Sequence, residues 1–318
     1  MYYYINVTAP LFIVKDLYMP LNIPHLETNK ILAPFTSYKI GGQADLFVAV
    51  RTTGDLVHAV MEARRNRIPV FVLGCGSNIL ITDKGFRGLV VHNLANRVQF
   101  ADDATVVAES GVIITDLIEQ CLPRGLSGLE HFAGIPGTVG GAMWQNLHFL
   151  SPDRQRTMLI GEVVRAGRIL SEEGDVRPVD VGYFEFGYDT SILQKRNEVV
   201  IDVTFQLTRK PKEEIQAVVS SNLAWRNDKQ PPLAEYPSCG SVFKKIKDIG
   251  AGRLIDQAGL KGFRIGGAEV SGKHANFIVN TGNARADDVI QLIRHIQNEV
   301  KEKLGYTLET EIKIVGER

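Results

Sequence analysis

Residues 72–90 read VLGCGSNILITDKGFRGLV, and the architecture of the chain follows from how this segment folds. A short apolar run ends at Gly74, and Gly76, Gly85 and Gly88 follow among further short apolar runs. Glycine lets the backbone adopt left-handed conformations and approach a ligand closely. Consecutive N–H groups in such a loop bind phosphate oxygens. The segment therefore predicts a phosphate-binding loop between short strands.

A second glycine-rich loop, AGIPGTVGGA, occupies residues 133–142. No Gly-Lys-Ser/Thr sequence follows either loop, which excludes a P-loop. The first loop also lacks the third glycine and the following helix of a Rossmann dinucleotide-binding unit. For any single glycine here, a turn between short strands is the simpler explanation. Two dense loops almost free of acidic residues, however, favour a diphosphate cofactor bound by another architecture.

The composition is that of an ordinary soluble globular protein. The chain has 318 residues, of which 44% are apolar and 23% charged, a length typical of about two domains. Lys and Arg number 36, as do Asp and Glu, so the net charge is zero. A disordered chain is poor in apolar residues or strongly charged, and a nucleic-acid-binding protein carries a basic excess. Both classes are excluded, and no nucleic-acid partner is expected.

Three cysteines and seven histidines are scattered along the chain. No Cys-x-x-Cys or His-x-x-x-His spacing occurs, so we expect neither a disulfide framework nor a metal site. Free thiols are typical of a cytoplasmic protein. Residues 1–14 are apolar, but they lack the basic leading region of a secretion signal and the length to span a bilayer. No membrane association is expected, and Met19 is an alternative start.

Strand-like and helix-like segments alternate, which predicts an α+β or mixed α/β fold. Helices are expected from Glu213 to Trp225 and along an apolar face in the last third that comprises Val289, Leu292, Ile293, Ile296, Val300 and Leu304. The residues TRKPK at 208–212 predict a linker. Strands are expected at residues 46–50, 69–74, 79–82, 88–94, 105–110, 162–170, 198–207 and 308–316.

Seven segments, in order, resemble the UDP-N-acetylmuramate dehydrogenase family, also called UDP-N-acetylenolpyruvoylglucosamine reductase. Three are similar to its FAD-binding region: TSYKIGGQADLFV (36–48), VLGCGSNILITDKGFRGLV (72–90) and AGIPGTVGGA (133–142). Four are similar to its substrate domain: YPSCGSVFKK (236–245), AGRLIDQAGLKG (251–262), KHANFIVN (273–280) and LETEIKIVGE (308–317). The resemblance covers nearly the whole chain and points to the shorter subclass of the family.

The resemblance implies an α+β protein with an FAD-binding fold of the vanillyl-alcohol-oxidase type, made of two α+β subdomains, plus a smaller α+β C-terminal substrate domain. The expected division is an N-terminal extension over residues 1–30, an FAD-binding domain over 31–209 and a substrate-binding domain over 210–318. It also implies that NADPH reduces non-covalently bound FAD. The hydride then passes to the enolpyruvyl group of a UDP-sugar, giving UDP-N-acetylmuramate for peptidoglycan, and no metal is required.

Two residues match the family's catalytic positions: Ser241 matches the proton donor and Glu311 a catalytic acid. Hydride addition to the enol ether leaves negative charge beside the substrate's carboxylate, so the site must stabilise an enolate and supply a proton. Glu309 lies two residues from Glu311 and, in a strand, on the same face. Only the family register selects Glu311, whose role requires a raised pKa.

The resemblance also implies which residues bind the ligands. The FAD-binding positions are Gly74, Cys75, Gly76, Ser77, Asn78, Gly134, Ile135, Pro136, Gly137, Thr138 and Gly141. The substrate-binding positions are Tyr188, Lys229, Lys244, Lys245 and His274. For Lys229, a solvated side chain in a proline-rich loop is the simpler interpretation from the residues alone.

The chain departs from the family pattern in two places. Where the family carries Tyr-Arg-x-Ser, with the arginine clamping the substrate's carboxylate, this chain reads YDTS, with Asp189 at the arginine position. After the second glycine loop, the family's Asn-Ala-Gly-Ala-Tyr-Gly gives way to a segment that keeps Asn146 but adds Arg154 and Arg156. With an aspartate at this position, the ion pair between the arginine and the substrate's carboxylate is lost, and the two negative charges repel each other.

Two explanations of Asp189 are open. In the one we favour, Arg154, Arg156 or another nearby cation replaces the arginine and the reductase chemistry is kept. In the other, the protein is a flavoprotein oxidase or dehydrogenase of the same fold acting on another substrate, with Cys75 as a possible covalent attachment point, or a non-catalytic nucleotide-sugar-binding flavoprotein. The sequence leaves the oligomeric state open.

Overall fold

The computed structural model describes residues 21–317, and its first part is a four-stranded sheet with a helix on one face. The elements in chain order are β1 (Glu27–Ile31), β2 (Gln43–Val50), α1 (Thr53–Arg65), β3 (Val70–Leu73), β4 (Ile79–Ile81) and β5 (Phe86–Asn93). The strand order is β1-β2-β5-β3, with β2 and β3 both parallel to β5. Because the parallel strands β2, β3 and β5 have their carboxyl ends on the same side of the sheet, the glycine loop after β3 begins on that side.

The second part is a five-stranded antiparallel sheet of order β12-β11-β13-β7-β6. Its elements are β6 (Val98–Phe100), β7 (Thr105–Glu109), α2 (Ile114–Cys121), β8 (Leu126–Ser127), α3 (Val139–Gln145), β9 (His148–Leu150), β10 (Thr157–Leu159), β11 (Val164–Leu170), β12 (Val176–Asp180), β13 (Val199–Gln206) and β14 (Thr208–Arg209). The strands β9 and β10 form a hairpin directly after α3. This hairpin is the segment in which the sequence departs from the family pattern.

The third part contains three helices, and the last two pack against a three-stranded sheet. Its elements are α4 (Lys212–Lys229), α5 (Ala251–Gln257), β15 (Arg264–Ile265), β16 (Ala268–Val270), β17 (Ile278–Asn280), α6 (Ala286–Leu304) and β18 (Lys313–Val315). The apolar face predicted for α6 is buried from Val289 to Val300, while Leu304 is partly buried at its end. None of the helices within residues 21–317 combines the length and the apolar character needed to cross a bilayer.

The last strand returns to the first part of the chain. The strand β18 pairs in parallel with β4, and the Lys313 N–H donates to the Asn78 carbonyl oxygen at 3.1 Å. The strand expected over residues 308–316 is therefore shorter. Residues before Lys313 pair with the segment after Ser241 instead, through a single bridge between Phe243 and Thr310.

Some sequence-based boundaries move. The helix predicted from Glu213 to Trp225 extends to Lys212–Lys229, because its exposed polar C-terminal turn gives no apolar signal. The predicted linker begins with a strand, β14, which pairs with β8. Of the predicted extension over residues 1–30, residues 1–20 and the alternative start Met19 lie outside the described residues, and β1 begins at Glu27. The division into three domains stays a prediction.

Each part has its own apolar core, and the core of the third part crosses into the first. Buried side chains of α5, α6 and the three-stranded sheet pack together with Tyr38, Ile40 and Leu80, all of which are at most 3% exposed. Burying apolar surface across this boundary favours a fixed position of the third part against the first. The glycine loop next to Leu80 is thereby held against the third part.

We expect that replacing one α6 core residue tests this packing. Ile293 is fully buried, so Ile293→Ala should lower the free energy of unfolding by about 2–5 kcal/mol through lost transfer energy and the cavity left behind. The measurement is urea unfolding followed by circular dichroism. The neighbouring exposed residue provides the control, since Arg294→Ala should change stability by less than about 0.5 kcal/mol. Equal effects of the two substitutions would contradict the packing.

Candidate active site

The two glycine-rich loops lie against each other, the first loop belonging to the first part of the chain and the second loop to the second part. The Ser77 hydroxyl donates to the Pro136 carbonyl oxygen at 2.7 Å. A Cβ atom on Gly74 would lie 2.5 Å from the Thr138 Oγ1 atom, and Gly76 has φ +58° with a Cβ position 2.5 Å from the Phe35 carbonyl oxygen. Side chains at these two positions would clash with the surrounding loops, so the close approach requires glycine.

The first loop presents a row of unsatisfied backbone donors. Within residues 21–317, no acceptor is found for the N–H groups of residues 75–78, nor for those of Gly137 and Thr138 in the second loop. Unpaired N–H groups converging in a glycine-rich concavity bind phosphate oxygens. These residues therefore fit the diphosphate of FAD, and they include six of the predicted FAD-binding positions.

The remaining predicted FAD positions have other surroundings. Gly134 has φ +78°, and a Cβ there would meet the side chains of Leu223 and Arg226 on α4. Ile135 packs against the core of the second part. The Gly141 N–H donates at 3.3 Å to Thr138 Oγ1, which caps α3. Gly134 thus lets α4 come close to the loop, and Gly141 belongs to the start of α3.

A cavity of about 260 Å³ adjoins the loops and is lined by Gly74, Cys75, His92, Asp116 and Thr138 among others. Burial raises the pKa of the Cys75 thiol, and Asp116 adds to this. A protonated thiol is a poor nucleophile. The geometry therefore disfavours covalent attachment of a cofactor through Cys75, as the oxidase alternative would use it.

Backbone pairing brings the segments of Ser241 and Glu311 side by side. The Glu311 N–H donates to the Val242 carbonyl oxygen at 2.8 Å, and the Lys244 N–H donates to the Glu309 carbonyl oxygen at 2.9 Å. Ser241 itself forms a bridge with Phe277 on its other side and is half-buried. The two predicted catalytic residues thus lie in adjacent strands at the edge of the third part.

Glu311 and Glu309 differ sharply in environment. Burial raises the pKa of the Glu311 carboxyl well above its usual range, Asp189 raises it further and Lys244 opposes the shift. Glu309 is exposed, so the two carboxylates do not share one face in the structure, because residues 308–311 do not form a regular strand. A buried glutamic acid that keeps its proton is what the predicted role of Glu311 requires.

Asp189 is buried beside this glutamate, with 1% of its surface exposed. Its Oδ1 atom accepts from Gln145 Nε2 at 3.1 Å and lies 3.2 Å from His148 Nδ1. Its Oδ2 atom is buried without a hydrogen-bond partner among the described residues. The residue takes a left-handed conformation, φ +55°. Burial, Asp189 and Glu311 together raise the pKa of Tyr188.

Three lysines supply positive charge to this region. Lys245 places Nζ 4.7 Å from the centre of the Tyr188 ring, and Lys313 places Nζ 5.3 Å from a Trp144 ring. Burial lowers the pKa of Lys313, Lys244 lowers it further and Asp189 opposes the shift. Predicted substrate-binding residues Tyr188, Lys244 and Lys245 therefore meet Asp189 and Glu311 in one cluster.

Arg154 and Arg156 do not reach Asp189. The Arg156 Nη2 atom donates to Glu162 Oε2 at 3.1 Å. The Arg154 guanidinium lies 5.0 Å from a Trp225 ring. No contact between either arginine and Asp189 is found within residues 21–317. The expectation that one of them replaces the family's arginine is not supported by this geometry, because the hairpin that carries them directs both side chains away.

Lys229 and His274 lie apart from the cluster. Lys229 is exposed and pairs with Asp228 at 2.7 Å. The His274 Nδ1 atom accepts from the Asn276 N–H at 3.2 Å, and its ring centre lies 4.8 Å from that of Phe277. Burial lowers the pKa of His274. Their substrate-binding roles stay predictions.

The sequence reasoning missed Gln145, His148 and Lys313. The only signal in the sequence is that Gln145 and His148 lie in the segment that departs from the family pattern. In that segment the two arginines are the more conspicuous candidates because of their charge. Lys313 lies two residues from Glu311, in the segment that resembles the family. Nothing in the sequence indicates that His148 and Asp189, 41 residues apart, meet.

Replacing Gly76 tests the cofactor loop. Because φ is positive and the Cβ position lies 2.5 Å from a carbonyl oxygen, Gly76→Ala should displace the loop and weaken FAD binding about tenfold or more. The measurement is the dissociation constant of FAD from flavin fluorescence. The control is Gly272→Ala, where a Cβ has no neighbour within 4 Å. Unchanged FAD affinity in Gly76→Ala would contradict the assignment.

The environment of Glu311 predicts a pH-dependent stability. Because its pKa is raised in the folded state, the protonated carboxyl stabilises the fold below about pH 4.3, the usual value for glutamate. This contribution is lost as the pH rises through the folded-state pKa. Glu311→Gln, a neutral mimic of the acid, should therefore gain free energy of unfolding relative to wild type between pH 5 and pH 8.

The measurement is urea unfolding at both pH values. Glu309→Gln, which removes an exposed carboxylate two residues away, controls for the change in net charge. A difference between Glu311→Gln and wild type that stays constant with pH would show that Glu311 is not a buried acid.

Comparisons with known proteins agree with this geometry. Residues 230–315 match the profile described as the UDP-N-acetylenolpyruvoylglucosamine reductase C-terminal domain, and residues 44–179 match that of an FAD binding domain. A UDP-N-acetylenolpyruvoylglucosamine reductase of Listeria monocytogenes is 39% identical over 92% of this chain and 97% of its own. One of Clostridium botulinum is 37% identical over 92% of this chain and 93% of its own.

A solved structure is also similar. The crystal structure of UDP-N-acetylenolpyruvylglucosamine reductase from Thermus caldophilus covers 90% of this chain and 97% of its own, with 33% identity and a TM-score of 0.75. These matches confirm the expected α+β architecture, with an FAD-binding domain followed by the C-terminal domain of the reductase. The chain belongs to the UDP-N-acetylenolpyruvoylglucosamine reductase family.

Proposed function

We propose that this protein reduces UDP-N-acetylenolpyruvoylglucosamine to UDP-N-acetylmuramate, with FAD as cofactor and NADPH as hydride source. Relatives of that name match over 92% of the chain. The observation that carries the proposal is the position of Glu311, whose burial raises its pKa, two residues before the strand β18, which pairs with β4 directly after the cofactor loop. With FAD bound at that loop, Glu311 would be an acid close to the cofactor, where a proton must be held as charge develops.

FAD, when bound, supplies the hydride chemistry, and the residues of this chain hold it and prepare the substrate. The unpaired N–H groups of residues 75–78 would bind its diphosphate. The contact between Ser77 and Pro136 keeps the two loops at a fixed distance. A cofactor held by backbone donors has a fixed orientation, which hydride transfer requires.

The proton would come from Ser241. This residue follows Gly240, which has φ +78° and open space around it, so the hydroxyl is presented on a turn at a half-buried position. The protonated Glu311 would donate a hydrogen bond to the enolate oxygen, since burial keeps its carboxyl neutral. Lys244 would add positive charge next to it.

The substrate's diphosphate needs positive charge outside this cluster. Lys229 is exposed at the end of α4, and His274 lies next to the segment that pairs with Ser241. We infer that both face the UDP part of the substrate. The cytoplasmic location expected from the sequence stays a prediction.

One observation favours a second candidate function. Asp189 puts a buried anion where a carboxylate-bearing substrate would be held, which suits a protein that binds a nucleotide sugar without turnover. The two candidates differ in product formation. Purified holoenzyme should oxidise NADPH only when the enolpyruvyl sugar is present, and mass spectrometry should find a product with two more hydrogen atoms than the substrate. NADPH oxidation that ignores the sugar would exclude the reductase.

Ser241→Ala should separate the two halves of the reaction. Removing the proton donor should slow the reoxidation of reduced flavin by the enolpyruvyl sugar about 10²- to 10⁴-fold. Flavin reduction by NADPH should be unchanged, because Ser241 has no part in it. The measurement is anaerobic stopped-flow absorbance. The control is Ser221→Ala, on the exposed face of α4. Equal rates for wild type and Ser241→Ala would refute the assignment.

A further inference from the structure

The hairpin formed by β9 and β10 carries His148 directly to Asp189. The His148 Nδ1 atom lies 3.2 Å from Asp189 Oδ1, and its ring centre lies 4.7 Å from that of Tyr188. The hairpin is fixed to α4, since Phe149 packs edge-on against Trp225 with ring centres 5.5 Å apart. His148 is therefore held on two sides by contacts of its own hairpin and of the segment around Asp189.

The histidine has one ring nitrogen that Asp189 does not use. The Nε2 atom has no hydrogen-bond partner within residues 21–317, and 20% of the side chain remains exposed. Because Nδ1 faces Asp189, Nε2 points to the opposite side of the ring. A carboxylate that accepts the N–H of one imidazole nitrogen fixes the ring and favours a second proton on the other nitrogen, which then becomes a donor.

Three charged or titratable side chains of the described residues lie against His148. Asp189 and Tyr188 come from the segment before β13, and Lys245 from the segment after Ser241. Glu311 and Lys313 lie one step further, against Asp189. Within residues 21–317, Asp189 is the only anion in contact with the ring.

We propose that His148, held by Asp189, binds the substrate's carboxylate through Nε2 and so replaces the arginine of the family pattern. The inference rests on the proposed function. It also explains why an anion stands at position 189, because Asp189 would interact with His148 and not with the substrate's carboxylate. Asp189 is a positioning residue, and His148 is the group that touches the ligand.

When the enolpyruvyl sugar binds, His148 should take up a proton from solvent. Burial lowers the pKa of free His148, Lys245 lowers it further and Asp189 only partly offsets this, so the ring is largely neutral near pH 7.5. A bound carboxylate places a second anion beside the ring and favours its protonated form. The proton ends on Nε2, between the imidazole and the carboxylate.

The test is calorimetric titration of oxidised holoenzyme, without NADPH, using two ligands. One is the enolpyruvyl sugar, and the other is UDP-N-acetylglucosamine, which lacks the carboxylate. His148→Gln should weaken binding of the first about ten- to hundredfold and leave binding of the second unchanged. It should also abolish the proton uptake, measured by repeating the titration in buffers of different ionisation enthalpy.

Asp189→Asn tests the positioning role. The amide keeps a hydrogen-bond acceptor for the ring but removes the negative charge, so the affinity for the enolpyruvyl sugar should fall more at pH 8 than at pH 6. If Asp189 had a purely structural role, Asp189→Asn would lower the affinity for both ligands equally and independently of pH. Bound flavin absorbance in each variant verifies that the fold is intact.

The outcomes separate the two proposals. If wild type does not turn over the enolpyruvyl sugar, the proposed function fails whatever the titrations give. If wild type turns it over, but His148→Gln binds it normally or loses both ligands alike, the assignment of His148 is overturned and the reductase function stands.

Discussion

The parallel pairing of β18 with β4 is the contact on which the site depends. It joins the end of the chain to the segment that follows the first glycine loop, through the hydrogen bond from the Lys313 N–H to the Asn78 carbonyl oxygen. It fixes the position of Glu311 relative to the cofactor loop. The shared apolar core, in which Leu80 packs with the side chains of α6, supports the same junction. In the proposed reaction a hydride and a proton are delivered within a few ångströms of each other, and this junction would set that distance.

A second constraint is the charge buried at the junction. A carboxylate in a protein interior requires hydrogen bonds or an opposite charge. Asp189 has Gln145 and His148 as hydrogen-bonding partners on one oxygen, while the other oxygen has no partner within residues 21–317. Its field also helps to keep Glu311 protonated. The exchange of a cation for an anion at this position therefore changes two neighbours at once, the histidine on one side and the glutamic acid on the other.

The features that the sequence predicts well are local ones. The glycine loops, the apolar face of α6 and the positions of the main strands along the chain follow from spacing and residue type within short segments. Ser241 and Glu311 required the family resemblance, because a serine in a turn and a glutamate near the C-terminus have no distinguishing pattern. Their surroundings agree with the expected chemistry, although their roles stay predictions.

The features that the sequence does not predict depend on distant contacts. Glu309 and Glu311 look equivalent by periodicity, and only the irregular path of residues 308–311 leaves Glu309 exposed and Glu311 half-buried. Arg154 and Arg156 have the right charge to replace the missing arginine, yet the hairpin directs them to Trp225 and Glu162. His148 was overlooked because its partner lies 41 residues away. Side-chain direction in a hairpin depends on its register, which composition does not specify.

The reductive chemistry itself is open to direct measurement in the unmodified protein. The bound flavin is reduced anaerobically with one equivalent of NADPH, and UDP-N-acetylenolpyruvoylglucosamine is then added while the visible absorbance of oxidised flavin is followed. We predict that the absorbance returns with one equivalent of the enolpyruvyl sugar and does not return with UDP-N-acetylglucosamine. Flavin that stays reduced in the presence of both sugars would contradict the conclusion that a site built around Asp189 retains the family's reaction.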